Sequence, residues 1–187
     1  MRKVTLIMNV SIDGYVVAPK DADIDIQTMA EPAELKKWKL DRISRAGTHI
    51  MGRVTYEGMK TFWPTSKDPY AAPMNDIPKV VFSKTLKKAD WPESTIATGE
   101  LATEIAALRK LRGGEIIAWG GARFAQALIR ADLIDEFALI TAPVAYGGGK
   151  PLFIELPKAL QLKVLGTTNF ASGHMLRQYT ARSAGRA

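Results

Sequence analysis

Hydrophobic positions along the chain fall into short apolar runs that alternate with segments of helical spacing. Three runs bounded by turn residues predict buried strands, at Val4–Val10, 80–82 and Ile116–Trp119. Four segments place apolar residues on one face of a helix, at 32–46, 53–59, 101–111 and 122–129. Strands and helices that alternate at this spacing form crossover units, so the pattern predicts an α/β fold around a mainly parallel sheet.

The last third of the chain has a different pattern. A strand predicted at 137–141 precedes the glycine run 147–149, and two further strands are predicted at 160–170 and 175–180. The turn residues at 171–173 lie between these two strands, which predicts an antiparallel C-terminal hairpin at the edge of a mixed sheet. Four prolines in segment 61–78 indicate a structured surface loop.

Length and composition narrow the class of protein. The 187 residues suit one domain, which we expect over 1–181, with a disordered tail at 182–187. The chain has no cysteine and only two histidines, which excludes disulfides, thiolate nucleophiles and Cys-based zinc sites, and we expect no metal. His49 lies within an apolar strand pattern that is typical of a packed sheet residue.

The N-terminal apolar run is too short for a signal peptide or a membrane span, so we expect a cytoplasmic protein with no membrane partner.

The excess of positive charge has three possible explanations: a nucleic acid partner, a phosphorylated small molecule, or solubility alone. Lysine and arginine number 26 against 19 acidic residues, a net charge of +7, but they are scattered along the chain without a block. Scattered charge is typical of a soluble protein and does not favour a nucleic acid partner. The lysines around Trp38 are expected to face water. A phosphorylated small molecule would account for part of the excess.

Three predicted strands end in residues suited to phosphate. The first ends at Gly52, with Arg53 and Thr55 opening a helix, and the second is followed by Ser83, Lys84 and Thr85. The third is followed by Gly120, Gly121, Ala122 and Arg123 at the start of another helix. Each junction alone is as typical of an ordinary strand end as of a ligand site. Because ligands of open α/β sheets bind beyond the carboxyl ends of the strands, the three together predict one polyphosphate site.

Glu34 is the acidic candidate for catalysis. It lies four residues before Trp38, so the two share a helix face, and that face is expected to point into the cleft. Burial there would raise the pKa of the carboxyl and suit it to bind or donate a proton. The alternative is a solvated glutamate that the helix dipole favours. Glu31 is interpreted as a more exposed capping residue, and Asp13 with Gly14 first as a turn.

The motifs and their order resemble the dihydrofolate reductase-like superfamily, specifically a stand-alone relative of the C-terminal reductase domain of riboflavin biosynthesis. The resemblance covers residues 4–179, and its motifs lie at 11–15 (SIDGY), 51–57 (MGRVTYE), 120–124 (GGARF), 133–136 (LIDE) and 143–153 (PVAYGGGKPLF). It implies a three-layer α/β/α fold and a homodimer. It also implies NADPH-dependent hydride transfer to a small pterin- or pyrimidine-like heterocycle, as in 5-amino-6-(5-phosphoribosylamino)uracil reductase or dihydrofolate reductase.

The resemblance also assigns roles to particular residues. It places NADPH at the three strand ends described above, with the basic groups on its phosphates. Glu34 is similar to the carboxylate that grips the nitrogen edge of a pterin, and Thr141 to the threonine that supports it. Asn9, Asp13 and Trp38 are expected to contact the substrate.

Several positions depart from the family pattern. Ile77 lies where a folate reductase carries an arginine, segment 18–30 has no tryptophan, and Ala125 replaces an aromatic residue. A cysteine-free chain also cannot hold the zinc deaminase of the riboflavin pathway. Two alternatives remain open: a nucleotide- or nucleic-acid-binding protein with little catalysis, and a reductase that uses a deazaflavin as its hydride carrier.

Overall fold

The computed structural model describes residues 1–181, so the tail expected at 182–187 lies outside the described residues. Its ten strands in that range are β1 Val4–Val10, β2 Tyr15–Val17, β3 Thr48–Gly52, β4 Lys79–Phe82, β5 Ser94–Ala97, β6 Ile116–Trp119, β7 Glu136–Thr141, β8 Lys150–Pro151, β9 Leu162–Asn169 and β10 Met175–Ala181. The α-helices over the same residues are α1 Ala33–Ile43, α2 Arg53–Phe62, α3 Ala71–Asp76, α4 Leu101–Lys110 and α5 Ala122–Arg130.

Eight of these strands form one mixed sheet in the order β5-β4-β3-β6-β1-β7-β10-β9. The first six in this order run parallel, whereas β10 is antiparallel to both β7 and β9. The predicted α/β fold with its antiparallel C-terminal hairpin is therefore confirmed. β2 and β8 form a separate antiparallel pair.

Helices cover both faces of the sheet and give the three layers that the resemblance implies. On one face α4 and α5 pack their buried residues, such as Ile105 and Leu128, against β1 and β6. On the other face α1, α2 and α3 contribute Leu35, Tyr56 and Met74 to a second apolar cluster. The central strand β1 is buried almost throughout because helices lie on both sides of it.

Segment 61–78 is more ordered than the predicted surface loop. It contains a 3-10 turn at Trp63–Thr65 and the six-residue helix α3. The ammonium group of the buried Lys79 donates hydrogen bonds to the carbonyl oxygens of Met74, Asn75 and Ile77, at 3.1, 2.7 and 2.9 Å. This cap satisfies the carbonyl groups at the end of the helix from a neighbouring strand, an interaction that local periodicity does not reveal.

Candidate active site

Two helices begin side by side at the carboxyl edge of the sheet. α2 follows β3 through Gly52, and α5 follows β6 through Gly121; neither cap residue provides a side chain to bind the first amide groups. A Cβ added to Gly121 would lie 3.3 Å from Oγ1 of Thr55, and one added to Gly52 would lie 3.2 Å from Cβ of Phe124. Glycine at both positions lets the helices start this close together, and each helix has its first N–H groups without a side-chain cap.

A cavity of about 700 Å³, here called cavity A, opens at these two helix starts. Gly52, Thr55, Gly121, Ala122 and Arg123 line it, with further contributions from Val17, Arg53, Val54, Phe82, Phe124, Ala127 and Lys150. The structure therefore brings together the first and third of the three strand-end motifs. Two helix N-termini and three cationic side chains make cavity A favourable for an anion.

The cationic side chains of cavity A differ in whether a carboxylate already binds them. Arg53 binds both carboxylate oxygens of Glu57, at 2.8 and 3.0 Å. Arg123 is exposed, and within residues 1–181 it has no carboxylate partner. Lys150 is likewise exposed at the rim. Within residues 1–181, Arg123 and Lys150 are therefore the cations of cavity A that a phosphate can recruit without breaking an ion pair, and the arginine can offer it two parallel hydrogen bonds.

Ser83, Lys84 and Thr85 lie beside cavity A rather than in its wall. Phe82 contributes to the wall, but the three residues after it, all within the described chain, do not. The Ser83 hydroxyl oxygen accepts hydrogen bonds from the amides of Thr85 and Leu86, at 3.2 and 2.9 Å, which closes a turn. Lys84 is 79% exposed and lies 3.8 Å from Glu100. A contact between these residues and a cofactor stays a prediction.

A second cavity of about 510 Å³, here called cavity B, lies next to cavity A. Trp119 and Gly120 line cavity B, and the two residues that follow them line cavity A, so one short stretch of chain borders both. Phe62, Trp63 and Tyr70 form an aromatic wall of cavity B. A flat apolar molecule in cavity B would therefore lie close to a ligand in cavity A.

The polar end of cavity B is built around Glu31. Its side chain is 18% exposed and pairs with the ammonium group of Lys39. The Tyr70 hydroxyl lies 3.3 Å from Oε2 of Glu31, and Lys39 also lies 3.4 Å from Oδ1 of Asn9. Burial, reinforced by the charge of Glu31, raises the pKa of Tyr70 well above its usual range, so this hydroxyl keeps its proton. Of the expected substrate contacts, Asn9 is the one that lines the cavity.

Glu34 does not point into the cleft, and the expectation that it does is wrong. Its side chain is exposed, and cavity B is lined from α1 by Lys36, Lys39 and Ile43 instead. Lys39, expected to face water, is 8% exposed and directed into the protein. The carboxylate in the cavity is Glu31, which the sequence pattern assigned to capping.

The chain matches the model of the RibD C-terminal domain over residues 2–176. It belongs to this family. A relative, the uncharacterized protein YwjB of Bacillus subtilis (strain 168), is 31% identical over 180 residues, which are 96% of this chain and 99% of that one.

Solved structures with a similar fold cover nearly the whole chain. A pyrimidine reductase-like protein from Corynebacterium diphtheriae is 15% identical with a TM-score of 0.66, over 96% of this chain and 92% of that chain. Dihydrofolate reductase from Enterococcus faecalis, complexed with NADP(H), is 18% identical with a TM-score of 0.64, over 96% of both chains. The fold is therefore dihydrofolate reductase-like, and family and fold together support a reductase-type function.

Three further residues that the resemblance to RibD C-terminal domains singled out, Trp38, Thr141 and Asp13, lie outside both cavities. Trp38 is half-buried on α1, with the Arg42 guanidinium 5.8 Å from its ring centroid. Thr141 ends β7, where it pairs with Val10 and Met175. Their roles in substrate binding and catalysis stay predictions that these positions do not favour.

Asp13 braces two loops. Its carboxylate accepts hydrogen bonds from the Ser11 hydroxyl at 2.5 Å and from the amides of Tyr146 and Gly147 at 3.0 and 2.7 Å. The Ser11 hydroxyl and these amides hold the pKa of Asp13 below its usual range. The interpretation of Asp13 as a turn residue agrees with this geometry better than a substrate contact does.

Within residues 1–181, no helix is long and apolar enough to cross a membrane.

Proposed function

We propose that this RibD C-terminal domain is an NADPH-dependent reductase that transfers a hydride to a pterin- or pyrimidine-like heterocycle. The observation that carries the proposal is the pair of uncapped helix starts, at Gly52 and Gly121, that open into one cationic cavity. A dinucleotide phosphate fits this wall because a Cβ on either glycine would occupy the space between the helices. Cavity B, which borders cavity A at Trp119 and Gly120, suits the flat ring of an acceptor.

In this proposal the residues of cavity A bind the cofactor and those of cavity B bind the acceptor ring. NADPH, when bound, supplies the hydride. The amides that begin α2 and α5 would hold its phosphates, with Arg53, Arg123 and Lys150 adding charge. In cavity B, Glu31 pairs with Lys39 and lies beside the Tyr70 hydroxyl, and its carboxylate would accept a hydrogen bond from the acceptor ring. The aromatic wall of cavity B excludes water from the ring and orients it.

The test measures the affinity of the chain for NADPH in a titration that is monitored by the fluorescence of NADPH itself. The wild-type chain is expected to bind NADPH saturably and more tightly than NADH. Arg123→Ala removes one charge-assisted contact, so its affinity for NADPH is expected to fall about tenfold. Arg130→Ala is the matched control, because Arg130 is an exposed arginine at the far end of the same helix. Equal NADPH affinity in the two variants would contradict the assignment of cavity A.

A further inference from the structure

Trp119 ends β6 with its indole ring at the wall of cavity B. The indole N–H donates a hydrogen bond to Nδ1 of His49, at 3.1 Å. The two ring centroids lie 5.8 Å apart with their planes at 60°. Since a tryptophan side chain turns about only two bonds, one directed hydrogen bond is enough to select its orientation.

His49 uses both of its ring nitrogens. Its side chain is fully buried in β3, and Nε2 lies 3.3 Å from the carbonyl oxygen of Pro73 in α3. The indole nitrogen of Trp119 can only donate, so Nδ1 accepts and the hydrogen of His49 is assigned to Nε2. His49 therefore joins Trp119 to α3, whose Met74 also lines cavity B.

The electrostatic setting keeps His49 neutral. Burial lowers the pKa of His49 to about 4, and the charge of Lys79 adds to this effect. Lys79 is the neighbour of His49 across the β3–β4 ladder. A neutral imidazole with a free acceptor at Nδ1 is the state that the Trp119 hydrogen bond requires.

Other aromatic side chains line cavity B together with Trp119. The next residue, Gly120, also lines this cavity and carries no side chain. Phe62, Trp63 and Tyr70 line the same cavity in edge-to-face contact with one another, at centroid distances of 4.8 and 6.3 Å along the series. Aromatic surfaces of this kind favour stacking with a conjugated ring.

We propose that Trp119 is the stacking platform for the acceptor ring and that His49 is a positioning residue that acts through the indole. The ligand class is a flat, conjugated nitrogen heterocycle. This inference rests on the proposed function in one respect, that cavity B receives the acceptor. It assigns the specificity of that cavity to a pair of residues that no motif of the sequence singled out.

The experiment measures the affinity of lumazine, used as the probe, for six chains: wild type, Trp119→Leu, Trp119→Phe, His49→Phe, His49→Gln and the double variant Trp119→Leu/His49→Phe. Trp119→Leu is expected to weaken binding about tenfold, because it removes the aromatic face on which the ring stacks. Trp119→Phe retains an aromatic face and is expected to lose less. His49→Phe is expected to weaken binding about fivefold in the wild-type chain and to have no further effect once Trp119 is leucine.

Each outcome decides between the alternatives. Equal weakening by His49→Phe with and without Trp119 would mean that His49 has only a structural role, and unchanged affinity in Trp119→Leu would overturn the platform. His49→Gln, whose amide keeps one donor and one acceptor, provides the rescue: it is expected to recover most of the affinity, and failure to do so while folded contradicts the positioning role.

NADPH affinity is measured on the same chains and is expected to be unchanged. If the wild-type chain binds NADPH but not lumazine, this inference is overturned and the proposed cofactor site stands. Wild-type chain that binds lumazine with the expected coupling but does not bind NADPH overturns the proposed function and leaves the platform in place.

Discussion

At the residue scale, the feature that matters most is the carboxylate that reaches cavity B. The spacing of Glu34 and Trp38 correctly describes two neighbours on a helix, but it does not say which face of α1 is buried. Leu35, Lys39 and Ile43 form the buried face, and a lysine at its centre was not expected from polarity alone. Lys39 is stable there because Glu31 and Asn9, brought in by other segments, supply its partners.

Exchange of Glu31 tests this reassignment. Glu31→Gln keeps the shape of the side chain but removes its charge, so kcat/KM for the acceptor is expected to fall about tenfold or more while NADPH affinity is retained. Asp41→Asn, at an exposed carboxylate on α1, is the matched control and is expected to behave as wild type. Steady-state kinetics measure kcat/KM for each variant. If kcat/KM fell in Glu34→Gln and not in Glu31→Gln, the catalytic carboxylate would be Glu34, as the family resemblance implies.

At the element scale, the packing of α3 and β5 explains what the sequence could not show. α3 has six residues with a proline among them, which local periodicity does not identify as a helix, and β5 is an edge strand of only four residues, two of them polar. α3 is held by Lys79 and His49 from the two neighbouring strands β4 and β3. The His49 contact spans 24 positions of sequence, so it forms only once β3 and α3 pack together.

The contact between β3 and α3 predicts a pH dependence of stability. The pKa of His49 is lowered to about 4 in the folded chain, below its usual value near 6.5. Between these values the unfolded chain binds more protons, so the free energy of unfolding falls as the pH falls. At 1.36 kcal/mol per pKa unit, the loss is about 3 kcal/mol between pH 7 and pH 4.

Urea unfolding at several pH values measures this loss directly. The variant His49→Gln has no titrating group at the position, so its stability is expected to change less over the same range. Parallel curves for the wild-type chain and His49→Gln would show that His49 is not the group responsible.

At the scale of the whole molecule, the fold was predictable because its signals are repeated along the chain. Apolar runs such as β1 and β6 alternate with helices, and the glycine junctions at Gly52 and Gly121 follow parallel strands, whose ends meet at one edge. Cavity B was less predictable, because its wall comes from α1, the end of α2 and the segment through α3. Which side chains converge there depends on long-range packing, as Glu31 and Tyr70 illustrate.

The central claim is that the two helix starts in cavity A form one site for a dinucleotide phosphate, and thermal unfolding of the wild-type chain with candidate cofactors tests it most directly. A ligand that binds only the folded chain stabilises it by about 2.7 kcal/mol at 100 times its Kd, which corresponds to a rise in Tm of roughly 5–10 °C for a chain of this size. NADPH is expected to give such a rise, and NADH a smaller one. No rise with NADPH, together with a rise for a flavin or a deazaflavin, would contradict the account.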